Sequence, residues 1–206
     1  MKEIIELVVR GYKPDEYSEK DHVFGSGATP DPIILPSGDW KEIDFDEEYQ
    51  AERGFENFGC VTFSLLNACE KLAKLVFNED WNKSERYTYI ASETNPEDRG
   101  NSPRKVADSI RKDYGLIDET DLPYDDLIKS LEEFNSPRPL TRELRKKGYA
   151  WLDDYVFRYD ILPLTNGIIP RETLREALKR SPVAIAVFAW AKRDGIYFRP
   201  DNNEDT

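Results

Sequence analysis

At 206 residues, with 39% hydrophobic and 12% aromatic side chains, the chain has the material for one packed domain or two small lobes. A formal net charge of -12 and a pI near 4.7 exclude nucleic acid and anionic membrane surfaces as expected partners, since both are bound through clustered basic charge. No apolar run approaches the roughly 18 residues of a membrane span, and Glu3 and Glu6 interrupt the apolar start before a leader pattern forms, so a cytoplasmic protein is expected.

In chain order, residues 1–50 alternate short β-like runs, Ile4 to Val9 and Ile33 to Leu35, with turn-rich stretches around Gly25–Pro32 and Pro36–Asp39. They read as an extended arm that packs on something else. From Gly59 to about Asn78 the residues Val61, Leu65, Ala68, Cys69, Leu72 and Val76 form an apolar helical stripe, with Asn67, Glu70, Lys71 and Lys74 opposite. Ser102 as N-cap, Pro103 at the first helical position and Gly115 as the stop predict a helix over 103–114. Helical periodicity returns at Leu127–Phe134 and Leu140–Tyr155, and Pro170 opens a short helix to about Arg180. Val183–Trp190 is a continuous apolar run that reads as a strand buried on both faces, with Ile196–Phe198 as a hairpin partner.

Cys60 stands where a glycine-broken loop gives way to the first long helix, so its thiol lies near the positive helix end, where a cysteine pKa is lowered. Two readings of it stay open on the residues alone: a thiolate nucleophile, or a small buried side chain, since free cysteine is among the most buried types. Its place off the apolar stripe favours the first, whereas Cys69, on the stripe, reads as core. The two cysteines lie about 13 Å apart on opposite sides of one helix and cannot bridge. With one histidine, His22, in the whole sequence, a Cys/His zinc site lacks ligands, and no metal or cofactor is expected.

Several segments in order carry a resemblance. Phe58-Gly59-Cys60-Val61-Thr62-Phe63-Ser64 with Asn67-Ala68-Cys69-Glu70, then Gly100-Asn101-Ser102-Pro103 with Ala107, Tyr114-Gly115-Leu116-Ile117, Leu122-Pro123-Tyr124 and Ser181-Pro182-Val183-Ala184-Ile185-Ala186-Val187 resemble the papain-like cysteine peptidases. Gly11–Asp15 through Asp21–Phe24 is similar to the opening of bacterial and phage relatives, and Leu35–Ser37 to Asp39-Trp40 to the usual mature start. The resemblance implies an α+β papain-like two-lobe fold in one domain: an N-terminal arm over 1–50, a helical lobe over 51–158 and the start of a β-rich lobe over 159–206. It implies hydrolysis of a peptide or protein substrate in a cleft, with Cys60 as nucleophile, Gly100 and Asn101 pairing with substrate, and Ala184 and Ala186 bordering the specificity pocket.

The departures are specific. Val61 replaces the aromatic that usually follows the nucleophile, and Asn57 replaces a cysteine that is normally disulfide-bonded. The oxyanion glutamine is expected six residues before the nucleophile, where Gly54 stands; the nearest is Gln50, which takes the role or is a solvated surface residue. The catalytic His and Asn of the family follow the Cys by roughly 130 to 150 residues. Ile196–Phe198 is similar to the stretch before that His, which implies that the base lies beyond Thr206 and that the 206-residue chain has little or no peptidase activity. His22 matches a non-catalytic position and reads as a surface residue. A partner-binding module without activity and a transglutaminase-like Cys-His acyltransferase are the alternatives. Asp201–Thr206 begins like a calcium loop but lacks its glycine and distal Glu. Arg142, Arg145, Lys146 and Lys147 read as a solvated face.

Overall fold

Glycine and serine signals fix the helix starts. The computed structural model describes residues 11–15, 18–19, 21–27, 31–43, 48, 50, 54–94, 97, 100–186, 191–193 and 196–198. Among the described residues the α-helices are α1 (Cys60–Phe77), α2 (Glu85–Ala91), α3 (Pro103–Asp108), α4 (Leu131–Phe134), α5 (Arg142–Asp154) and α6 (Arg171–Leu178). Among the same residues, β1 (Gly11–Tyr12) runs parallel to β2 (Gly100–Asn101), and β3 (Ala191–Arg193) runs antiparallel to β4 (Ile196–Phe198). Helix takes 43% and strand 6% of the chain, so the fold is mixed α and β, with helices forming the body.

Ser102 caps α3 as expected, its hydroxyl accepting from Lys105 N, with Pro103 at the first position. The predicted 103–114 helix is present, but its second half, Ser109–Tyr114, is wound as a π turn before Gly115 stops it at φ +65°. The hairpin expected at Ile196–Phe198 also forms, with Arg193 opposite Ile196. Its first strand is Ala191–Arg193 rather than the predicted Val183–Trp190. Val183–Ala186 runs irregularly, with Ala184, Ile185 and Ala186 exposed, and 187–190 lie outside the described residues. A strand buried on both faces needs covering layers, and a pair of three-residue strands supplies none.

α2 was not foreseen. Ser84 caps it by accepting from Tyr87 N, and every residue from Glu85 to Ala91 is buried. Two apolar clusters meet around it and α1. One gathers Phe63, Tyr87, Tyr89, Ile90, Tyr124, Phe134 and Leu140; the other gathers Val61, Leu65, Leu66, Val106, Ile110, Leu116 and Trp151. The buried side of α1 is therefore wider than the predicted stripe and displaced from it. Glu70, expected on the polar face, is 3% exposed, while Val76, expected in the stripe, is 44% exposed.

The N-terminal residues pack on later ones. Lys13 N donates to Asn101 O at 2.8 Å, Val23 bridges Ile161, Ile34 N and Leu35 N both donate to Lys179 O at 2.9 Å, and Trp40 Nε1 donates to Leu178 O at 2.6 Å. The basic residues of α5 are exposed as expected, and Lys147 pairs with Asp121 at 2.5 Å. The calcium-like Asp201–Thr206 stretch lies outside the described residues. Among the described residues, no helix is long and apolar enough to cross a membrane.

The tightest packing is between α5 and the π turn. A Cβ on Gly148 would fall on the Tyr114 carbonyl and the Tyr87 hydroxyl, which are themselves hydrogen-bonded at 2.8 Å. Gly148→Ala is therefore expected to cost about 3 kcal/mol and to lower Tm by about 10 °C in a thermal melt. A shift within the scatter of repeat melts would mean that the two elements separate freely.

Candidate active site

Cys60 is the first residue of α1 and Gly59 its N-cap. At that position the Cys60 N–H has no partner within the helix. The loop before it is held by Asn57, which is 0% exposed: its Oδ1 accepts from Gly59 N at 2.8 Å and its Nδ2 donates to Gln50 O at 2.8 Å. Tyr124 Oη donates to the same Gln50 carbonyl at 3.1 Å. Gln50 is half-buried, and its Oε1 is sealed from solvent without a partner among the described residues, unlike a solvated surface glutamine. The structure thus ties the Gln50 backbone to the entry of α1 through one side-chain amide.

The electrostatics of Cys60 run against the expected lowering. Its thiol is half-buried against the second apolar cluster, beside Tyr12, and burial followed by the Glu56 carboxylate pushes its pKa up to about 11. A backbone hydrogen bond from Val61 pulls the other way and is the smaller effect. No cation is among these influences, which is why the helix start alone leaves the thiol protonated. Cys69 is half-buried too, and burial pushes it up to about 12.

Of the remaining expected residues, Gly100 and Asn101 are buried and form β2, which pairs with β1 along one edge, Asn101 O accepting from Lys13 N at 2.8 Å, and lies against α1, the helix that begins at Cys60. Asn101 Nδ2 also donates to Ser92 O at 2.9 Å and Thr94 Oγ1 at 3.0 Å, and its Oδ1 accepts from Ser102 N. Ala184 and Ala186 are exposed on the irregular segment. His22 is exposed, as expected of a surface residue, and its carbonyl accepts from Ile161 N at 2.8 Å. A surface concavity lined by Ala91, Glu93, Lys105, Lys112, Tyr114 and Tyr149 does not include Cys60.

A group that sequence reasoning missed is a set of carboxylates, one buried and two half-buried. Glu48, Glu85 and Glu119 each bring one oxygen within 4.8 Å of the others. Glu48 is clamped from both backbone sides by Asn67 of α1, which donates to its carbonyl at 3.0 Å and accepts from its N–H at 3.2 Å. Glu85 opens α2, and Glu119 is brought beside it by a short ladder: Ser84 N donates to Ile117 O at 3.0 Å and Glu119 N to Asn82 O at 2.9 Å. Glu70 lies close by and accepts from Lys83 N at 2.7 Å. These positions span 72 residues without a common motif; the Ser84-Glu85 capping signal was the one readable trace.

No protein-family model, curated protein or solved structure matches the chain.

Two titrations follow. Cys60 in the native chain is expected to react with iodoacetamide at neutral pH at least ten times more slowly than a cysteine in a short peptide. Its rate climbs toward a midpoint near 11, and Glu56→Gln moves that midpoint down. Mass-resolved alkylation at Cys60 checks this, and a midpoint below 8 would refute it. Burial holds the Glu70 carboxyl up at about 8, so the folded state favours its proton. That stabilisation is complete below about pH 4, the ordinary carboxylate value, and is lost as pH rises through about 8. With EDTA present, Tm is expected to fall between about pH 6 and pH 9, and Glu70→Gln to flatten the slope.

Proposed function

We propose that the chain carries the nucleophile of a papain-like cysteine peptidase, an α+β two-lobed fold in which Cys60 attacks a peptide carbonyl. The observation that carries this reading is the chain of contacts from Gln50 through Asn57 to Gly59, which sets a cysteine, its N–H without an intrahelical partner and a glutamine segment at the start of one long helix. In the reaction, Cys60 Sγ as thiolate bonds to the carbonyl carbon. The oxygen takes up negative charge and accepts from the Cys60 N–H and the Gln50 amide. The C–N bond then breaks as the leaving amine takes a proton from an imidazolium, and water releases the acyl group as a carboxylic acid and restores the thiol.

An adjacent imidazolium is the influence that would lower the Cys60 pKa, and it is missing from the groups acting on Cys60 among the described residues. The same observation favours a second reading, a papain-like module that binds a peptide or partner and performs no chemistry. Gly100, Asn101, Ala184 and Ala186 keep their assignment as substrate contacts.

Added imidazole separates the two readings. With a peptidyl p-nitrophenyl ester as acyl donor, the 206-residue chain is expected to show little turnover alone. Imidazole is expected to raise release at least tenfold over the enzyme-free imidazole control, and Cys60→Ala to abolish the gain while Cys69→Ala keeps it. Equal release from wild type and Cys60→Ala in imidazole would refute the nucleophile. Transfer of the acyl group to an added amine in preference to water would point to an acyltransferase instead.

A further inference from the structure

We propose that Glu48, Glu85 and Glu119 bind one hard divalent cation, calcium by preference, between the 48–50 segment, α2 and the Glu119–Asp121 turn. The converging oxygens lie within 4.8 Å of one another, which is the span of a shell with metal–oxygen distances of about 2.4 Å, the calcium range. The donors are all carboxylate oxygen, the set suited to calcium and magnesium and not to metals that prefer nitrogen or sulfur.

The second observation is independent of the clustering. Glu85 is 1% exposed, and its Oε2 touches neither solvent nor a donor; Glu48 Oε2 and Glu119 Oε2 are sealed in the same way among the described residues. A buried carboxylate oxygen without a donor is strongly unfavourable, so Glu85 Oε2, with the unpartnered Oε2 atoms of half-buried Glu48 and Glu119 beside it, calls for a positive charge, even though Glu119 Oε1 accepts from Tyr124 N. The nearby protein cations are committed elsewhere. Lys83 Nζ pairs with Asp118 at 2.5 Å, and Arg86 donates to the carbonyls of Pro123, Glu133, Phe134 and Ser136. Carboxylates ligate a metal ion in their deprotonated form, so affinity rises with pH.

The backbone at each ligand is already fixed, by Asn67 at Glu48, by the cap of α2 at Glu85, and by Asn82 at Glu119. A cation here would also brace Gln50, two residues from Glu48. The inference does not depend on the chemistry of Cys60, and a failure of either leaves the other standing.

Equilibrium dialysis of EDTA-treated 206-residue chain against Ca2+ is expected to give one ion per chain, bound more tightly at pH 8 than at pH 6 and at least tenfold more tightly than Mg2+. At about a hundredfold excess over Kd, Ca2+ is expected to raise Tm by about 5 °C. Glu85→Gln is expected to weaken binding at least tenfold; should it not fold, Glu48→Gln, in the half-buried loop, carries the same expectation. No retained Ca2+ and an unmoved Tm up to about 10 mM, above the weakest class of protein calcium sites, would overturn the proposal. So would unchanged affinity in a folded variant, which would assign the ion to the acidic surface.

Discussion

The burial of α2 on every face is the constraint on which the rest of the helical body depends. A seven-residue helix is too short to persist alone, and this one takes a guanidinium and a carboxyl out of water with it. Arg86 is satisfied by four carbonyls of the 123–136 region, so folding that loop and burying α2 are one event. Tyr87 reaches the Tyr114 carbonyl, which lies against Gly148 and fixes how closely α5 can approach. Glu85 has no comparable partner, and the cation inferred at the three glutamates answers that one imbalance.

The same packing sets the candidate active site. Tyr124 is buried among the aromatic residues around α2, its hydroxyl holds the Gln50 carbonyl, and its N–H donates to Glu119. The nucleophile corner and the carboxylate cluster therefore share a scaffold, with Gln50 and Glu48 two residues apart on one segment. A disturbance of the cluster is transmitted to the entry of α1 through that segment and through Asn67, which lies two turns along α1 from Cys60.

Much of the helical layout was legible. The Ser102-Pro103 start, the Gly115 stop and the Pro170 opening are local signals, decided by capping and backbone freedom within a few residues. The Cys60 helix was legible for the same reason, but its thiol, expected on the polar side, packs against the second apolar cluster. The apolar run Val183–Trp190 misled because hydrophobicity records a need for cover without recording what covers it. The stripe of α1 was displaced because the helix packs against two clusters, and Phe63, Leu66 and Glu70 face a side that periodicity counted as partly polar.

The sequence by itself determined the starts of α1, α3 and α6, the scarcity of imidazole and the placing of a thiol at a helix start, since each follows from residues close along the chain or from a count. Tertiary structure decided the state of that thiol, which burial and Glu56 hold protonated against the pull of the helix. It also decided that Glu48, Glu85 and Glu119, spread over 72 residues of sequence, share one point. Charge and burial at a site are set by what the fold brings within a few ångströms, and sequence distance carries no record of that.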